Sequence, residues 1–146
     1  MVSKMNKIAL SLLSLILISC GGSTASVVEK KPLFEVLTTQ KDGGGNIHFF
    51  EVISDSREFR MLQNDKKLRR KIKPNDIDTS NFLILNMGKK QSNNASIEVI
   101  AAEETPTEII LTIKENDSIV EGSNNLEYTY PYTIVKINSK KEISVK

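Results

Sequence analysis

Few side chains in this sequence could do covalent chemistry, and the clearest of them is Cys20, the only cysteine among 146 residues. It follows Leu17, Ile18 and Ser19, so an aliphatic residue, a tolerant position and a small residue precede the thiol. That order matches the box at which a lipoprotein signal is cut: the sulfur is first alkylated with diacylglycerol, and the small residue fits the peptidase. Upstream, Lys4 and Lys7 form a basic start, and residues 8–18 are apolar except for Ser11 and Ser14, as in a secretory signal. The stretch is shorter than the roughly 20 residues that a membrane-spanning helix needs. Residues 1–19 are therefore expected to be removed, leaving Cys20 as an acylated anchor whose partner is membrane lipid. Gly21 stands where aspartate commonly signals inner-membrane retention. The expected place is the bacterial cell envelope, at the outer membrane and facing the periplasm.

Other reactive constellations are weak. His48 is the only histidine, and no carboxylates sit at a local spacing that would complete a metal site with it. Serine and threonine residues lack both a nucleophile-elbow pattern and a Ser-x-x-Lys arrangement with its companions. Gly43, Gly44 and Gly45 lack the lysine and hydroxyl of a phosphate loop. Asp76 and Asp78 lack the glycine and the later bidentate glutamate of a calcium loop. Glu103 and Glu104 read as solvated strand-end acids rather than an acid–base pair. The expectation is a protein that is not an enzyme and holds no cofactor and no metal. Nucleic acid is also excluded as a partner. The chain has 20 basic and 18 acidic residues, and loss of Lys4 and Lys7 with the signal leaves a formally neutral domain.

The elements that would position any surface come next. Residues 20–32 begin with Gly21, Gly22 and Ser23 and show no apolar periodicity, as expected of a flexible tether after the lipidated cysteine. Residues 33–146 read as one domain. Runs 33–38 and 47–53 look like strands, and Lys41, Asp42, Gly43, Gly44, Gly45 and Asn46 between them suggest a hairpin with a mobile tip. Ser54 or Asp55 can cap a helix with Phe59 and Leu62 on its apolar stripe, ending before Pro74. Its basic second half, Lys66, Lys67, Arg69, Arg70, Lys71 and Lys73, would suit a helix C-terminus or attract anionic headgroups.

The apolar run 82–85 predicts a strand covered on both faces. Residues 96–103 and 108–114 alternate, with Ile97, Val99 and Ala101 on one face of the first and Ile109, Leu111 and Ile113 on one face of the second. Thr105, Pro106 and Thr107 join them as a hairpin. A further strand is expected over 128–137 and a short last one over 143–145. The fold class is mainly β: an antiparallel β-sandwich or open barrel of six to seven short strands with one inserted α-helix.

The three tyrosines, Tyr128, Tyr130 and Tyr132, fall within five positions. In one strand they would share a face and, with Pro131, form a rigid binding patch or a sheet edge. Taken in order, several segments resemble the PrcB C-terminal domain family, named for an accessory subunit of a surface protease complex. They are the glycine-marked turn followed by Val52, Ile53, Glu58 and Phe59; the strand ending at Met87 and Gly88; Ser96, Ile97, Glu98 and Val99; and Tyr130, Pro131, Tyr132, Ile134, Val135, Lys136 and Ile137. Where the family shows a Gly-Gly-Tyr-like turn, this chain has Gln91, Ser92, Asn93, Asn94 and Ala95.

The resemblance implies a mainly β, non-catalytic lipoprotein domain that stabilises or modulates a protease or another envelope protein. The candidate partner-binding residues are then Gly43, Gly44, Gly45, Asn93, Asn94, Tyr128, Tyr130 and Tyr132. The alternative is an envelope lipoprotein that binds a small apolar ligand or lipid between its sheets.

Overall fold

A strand that is apolar at nearly every position must be covered on both faces, and Asn81–Met87 is such a strand. In the computed structural model, which describes residues 31–92, 94–118 and 127–146, that strand lies at the centre of a sheet between two layers. The elements in chain order are β1 (Phe34–Gln40), β2 (His48–Ile53), α1 (Ser56–Asn64), α2 (Asp76–Thr79), β3 (Asn81–Met87), β4 (Ser96–Glu104), β5 (Glu108–Asn116), β6 (Tyr132–Ile137) and β7 (Glu142–Val145). One sheet has the order β1-β6-β3-β2 and the other β4-β5-β7. Cys20 and the tether to Lys30 lie outside the described residues.

The two faces of the four-stranded sheet bury different sets of side chains. Toward the three-stranded sheet, Leu83, Leu85, Met87, Val135 and Ile137 meet Ile97, Val99, Ile109 and Leu111. Toward the helices, Leu37, Ile53, Phe82 and Ile134 meet Phe59, Leu62, Leu68, Ile72 and Ile77. The rings of Phe59 and Phe82 lie 4.8 Å apart, centroid to centroid. Each such side chain contributes about 1.5–3 kcal/mol by leaving water. The architecture is thus a β-sandwich with a small helical layer on one outer face.

Five local expectations are corrected. First, β1 and β2 form no hairpin: β1 pairs with β6, and β2 pairs with β3. β3 and β6 are buried on both faces and take the centre, with β1 and β2 at the opposite edges. Second, the helix ends at Asn64 rather than running toward Pro74. Asp55 caps its start by accepting from the Arg57 and Glu58 N–H groups at 2.7 and 3.1 Å, and those contacts hold its carboxyl below the usual range.

A continued helix in the phase of Phe59 and Leu62 would turn Lys66, Arg70 and Lys73 toward the sheet. Instead Asp65 adopts an extended backbone and accepts from Lys67 N–H at 2.6 Å, an Asx turn. The chain restarts in a new phase with Ile72 N–H bonded to Leu68 O, which buries Leu68 and Ile72. The basic run is therefore not at the helix end.

Third, the β4 register shifts between Val99 and Ala101. This bulge reverses the alternation, so Ala102 rather than Ala101 packs inward. Fourth, regular pairing of the last long strand begins at Tyr132, not at 128. Fifth, β7 runs parallel to β5, so the smaller sheet is mixed rather than antiparallel.

Candidate binding surface

The residues singled out near the glycine run come together at one end of the four-stranded sheet. Asn86, 1% exposed, lies under the 41–47 loop. Its Oδ1 accepts from Gly45 N–H at 2.9 Å, and its Nδ2 donates to Gly45 O at 3.1 Å and to Ile47 O. Gly44 N–H donates to Tyr130 O at 2.9 Å. A Cβ on Gly44 would stand 2.2 Å from Asn86 Oδ1 and 2.8 Å from Tyr130 O. The loop is thus clasped rather than a mobile tip; Gly44 is there for close approach, and Gly43 supplies a φ of +104.

The next loop joins this end. Gly88 has φ +75 and a site for Cβ only 2.8 Å from His48 N. Lys89 N–H donates to Asn46 O, and Lys90 and Thr129 exchange two backbone bonds of 2.9 and 2.8 Å. Thr129 Oγ1 donates to Ser92 O at 3.2 Å, and Asn94 N–H donates to Ser92 Oγ at 3.2 Å. Asn93 lies outside the described residues.

The tyrosines do not form one stripe. Tyr128 is exposed, with the Lys89 ammonium 3.7 Å above its ring in a cation–π contact. Tyr130 is half-buried and serves through its carbonyl. Tyr132, in β6, packs with the helix-side core; burial, aided by the charge of Asp65, pushes its phenol pKa up. Of the three, Tyr128 is the exposed one, at 54%.

The sheet's two edges are the feature that sequence reasoning missed. At β1, the register shifts between Val36 and Thr38, the Lys71 ammonium donates to Leu37 O, and Lys67 Nζ reaches Gln40 Oε1 at 2.9 Å. At β2 the register is unbroken from His48 to Ile53, and Ile47, Phe49, Phe50 and Val52 are all exposed. Met87 N–H is directed at Pro131 on the β6 side. Alternation then turns Asn86, Ile84 and Phe82 toward β2, so the N–H groups of Phe50 and Val52 point away from the sheet. The exposed run carries apolar residues on both faces, a pattern that a central strand would share.

A groove flanks β2 on each face of the sheet. On the helix side a groove of about 280 Å3 has Ile53, Met61, Leu62 and Ile84 as its apolar lining and Glu51, Glu58 and Asp65 around it. On the other side, between β2 and β7, a more open groove of about 550 Å3 is lined by Val52, Ser54, Asn81, Lys140, Lys141 and Ile143, together with Glu142. Asn81 is 4% exposed; its Nδ2 donates to Lys141 O at 3.0 Å, while its Oδ1 has no partner among the described residues. An unsatisfied buried acceptor of this kind costs about 1–3 kcal/mol.

The groups considered for chemistry have structural contacts. His48 Nε2 and Glu115 Oε1 are 2.7 Å apart, joining β2 to β5. Asp76 pairs with Lys136 at 2.8 Å. Burial pushes its pKa up, but the Lys136 hydrogen bond and the Lys73 N–H outweigh burial and hold the carboxyl below its usual range. Glu104 pairs with Lys141 at 2.9 Å, and Glu103 lies 3.9 Å from Lys146. Among the described residues no three His, Cys, Asp or Glu side chains are grouped to hold a metal ion, and no helix is long and apolar enough to cross a membrane. Comparison with family models, curated proteins and solved structures found no match for this chain.

Proposed function

We propose that this chain is a non-catalytic accessory lipoprotein of the bacterial envelope, anchored through Cys20, that binds a protein partner at the end of the sheet where the 41–47, 88–92 and 127–131 segments meet. The observation that carries this reading is the clasped geometry there. Asn86, Gly44 and the Lys90–Thr129 bridge pre-order three loops beside exposed Ile47 and Tyr128, and pre-ordering lowers the entropy lost on binding. The resemblance to PrcB C-terminal domains adds a class of partner, a protease or another envelope protein whose stability or activity the module modulates. A tether of about eleven residues, at most ~3.6 Å each, would keep the start of the domain within ~40 Å of the membrane.

Crosslinking in intact envelopes followed by capture of the full chain tests the reading. A partner enriched over an unrelated lipidated domain, and lost on Tyr128→Ala with Ile47→Ser, is the expected result; no enrichment sinks it. Replacing Cys20 by serine should block acylation and leave residues 1–19 uncut, read as a heavier, unlipidated chain by mass spectrometry of the membrane fraction. The alternative, a carrier of a small apolar ligand between the sheets, finds that interior filled by Leu83, Leu85, Met87, Ile97 and Leu111, each at most 1% exposed.

A further inference from the structure

From the unbroken edge of β2 and its flanking grooves, we propose that this edge accepts an extended segment of another polypeptide as an added strand, one that alternates basic and apolar side chains. The inference rests on the protein-binding reading above and names the form of the partner. An edge strand with unpaired peptide groups is complementary to another strand, in which main-chain bonds supply affinity and alternate side chains supply specificity. The outward N–H groups of Phe50 and Val52 are the donors.

Side chains of the added strand fall alternately on the two faces of the sheet. Those on the helix face come alongside Glu51 and Glu58, which are not fully buried and make no ion pair among the described residues. A lysine or arginine there lays its methylenes on Met61 and places its charge at the carboxylates. Those on the opposite face lie against Phe50 and Val52, 38% and 39% exposed, and an apolar side chain covers them.

The same charges disfavour a second copy as occupant. In a symmetric antiparallel pairing centred on Phe50, the two Glu51 carboxylates and the two Glu58 carboxylates would share one face, and like charges across strands are destabilising.

The probe is an acetylated, amidated hexapeptide alternating lysine and valine, with a glutamate–valine counterpart, added to the full-length chain in neutral detergent micelles. The expected result is slowed amide hydrogen exchange at Phe50 and Val52 with the lysine peptide, and little change at Phe49 and Glu51, which already bond to β3. Glu51→Lys with Glu58→Lys should weaken the lysine peptide by about tenfold or more and favour the glutamate peptide. Val52→Pro removes one outward donor, where an edge tolerates proline, and should also weaken binding.

Equal response to both peptides, no protection at Phe50 and Val52, or unchanged binding by Val52→Pro overturns the proposal. So does concentration-dependent protection without peptide, which would mark self-pairing. Capture of an envelope partner that survives the double lysine variant would leave the accessory-module reading standing and remove edge docking. Peptide docking without a captured partner would do the reverse.

Discussion

The two edges of the four-stranded sheet meet the same physical hazard in opposite ways. Any edge strand exposes unpaired peptide groups that can template association, and proteins blunt such edges with bulges, lysines or covering segments. The β1 edge carries all three: the shift at Leu37, the Lys71 ammonium on Leu37 O, and the 65–73 segment whose Leu68 and Ile72 pack in the same cluster as Leu37. The β2 edge keeps a regular register and leaves Phe49, Phe50 and Val52 exposed. A fold that covers one edge and leaves the other regular and apolar has localised where a partner strand can add. The basic run Lys66–Lys73 also takes on a role in this light, because two of its lysines close an edge.

The largest effect should come from stripping the covered edge. Leu68 is 0% exposed beneath the segment that carries Lys67 and Lys71. Leu68→Ala leaves a cavity and should cost about 2–5 kcal/mol, read by urea unfolding. Faster hydrogen exchange should follow in β1, from Leu37 to Gln40. An unchanged β1 would mean that the edge is protected by its bulge alone.

The next effect concerns the loop that carries the chain from one edge to the other. Gly44→Ala forces a methyl against Asn86 Oδ1 and Tyr130 O. A loss of about 1–3 kcal/mol is expected for a clash of this kind. If the loop is a pliable connector instead, the substitution will be silent in thermal unfolding.

The same residues show which part of the fold was legible in the sequence. The run over β3 specified a doubly covered strand because burial on both faces is written in composition, and the Asp55 cap is a local signal. The glycine run promised a hairpin, but strand neighbours are chosen by which strands need two covers, a property of the whole sheet. The helix limit could have been found from the jump in apolar phase between Leu62 and Leu68. The Ile100 bulge and the unequal edges were not legible. An exposed Phe-Phe-Glu-Val run has the same pattern whether a neighbour lies on one side or on both. Of the candidate site residues, Gly44 packs closely against Asn86 and Tyr130, and Tyr128 alone among the tyrosines is exposed.

A smaller effect tests how the helical layer is held over the β1 side. Lys136 of β6 lies opposite Glu35 of β1 and binds Asp76 of α2. With its folded pKa below the unfolded value, Asp76 adds stability above the unfolded pKa and loses it as pH falls through the folded value. That window lies below about pH 4, and the contribution is about 1 kcal/mol on the scale of a partly screened ion pair. Asp76→Asn should therefore be less stable than the parent at pH 7, with the difference closing in acid. A constant difference at all pH values would assign the effect to packing.

The smallest effect is the most informative about the open edge. Phe50 lies opposite Leu85 in the β2–β3 register but has no strand on its other side among the described residues. Phe50→Ser removes the cross-strand contact with Leu85 and the edge-on ring contact with His48, 5.0 Å between centroids, and leaves every bond to β3 in place. The stability loss should be at most about 1 kcal/mol, well below that of Leu68→Ala. A loss comparable to a core truncation would show that the β2 edge is already covered in the folded protein, and the contrast between the two edges would disappear.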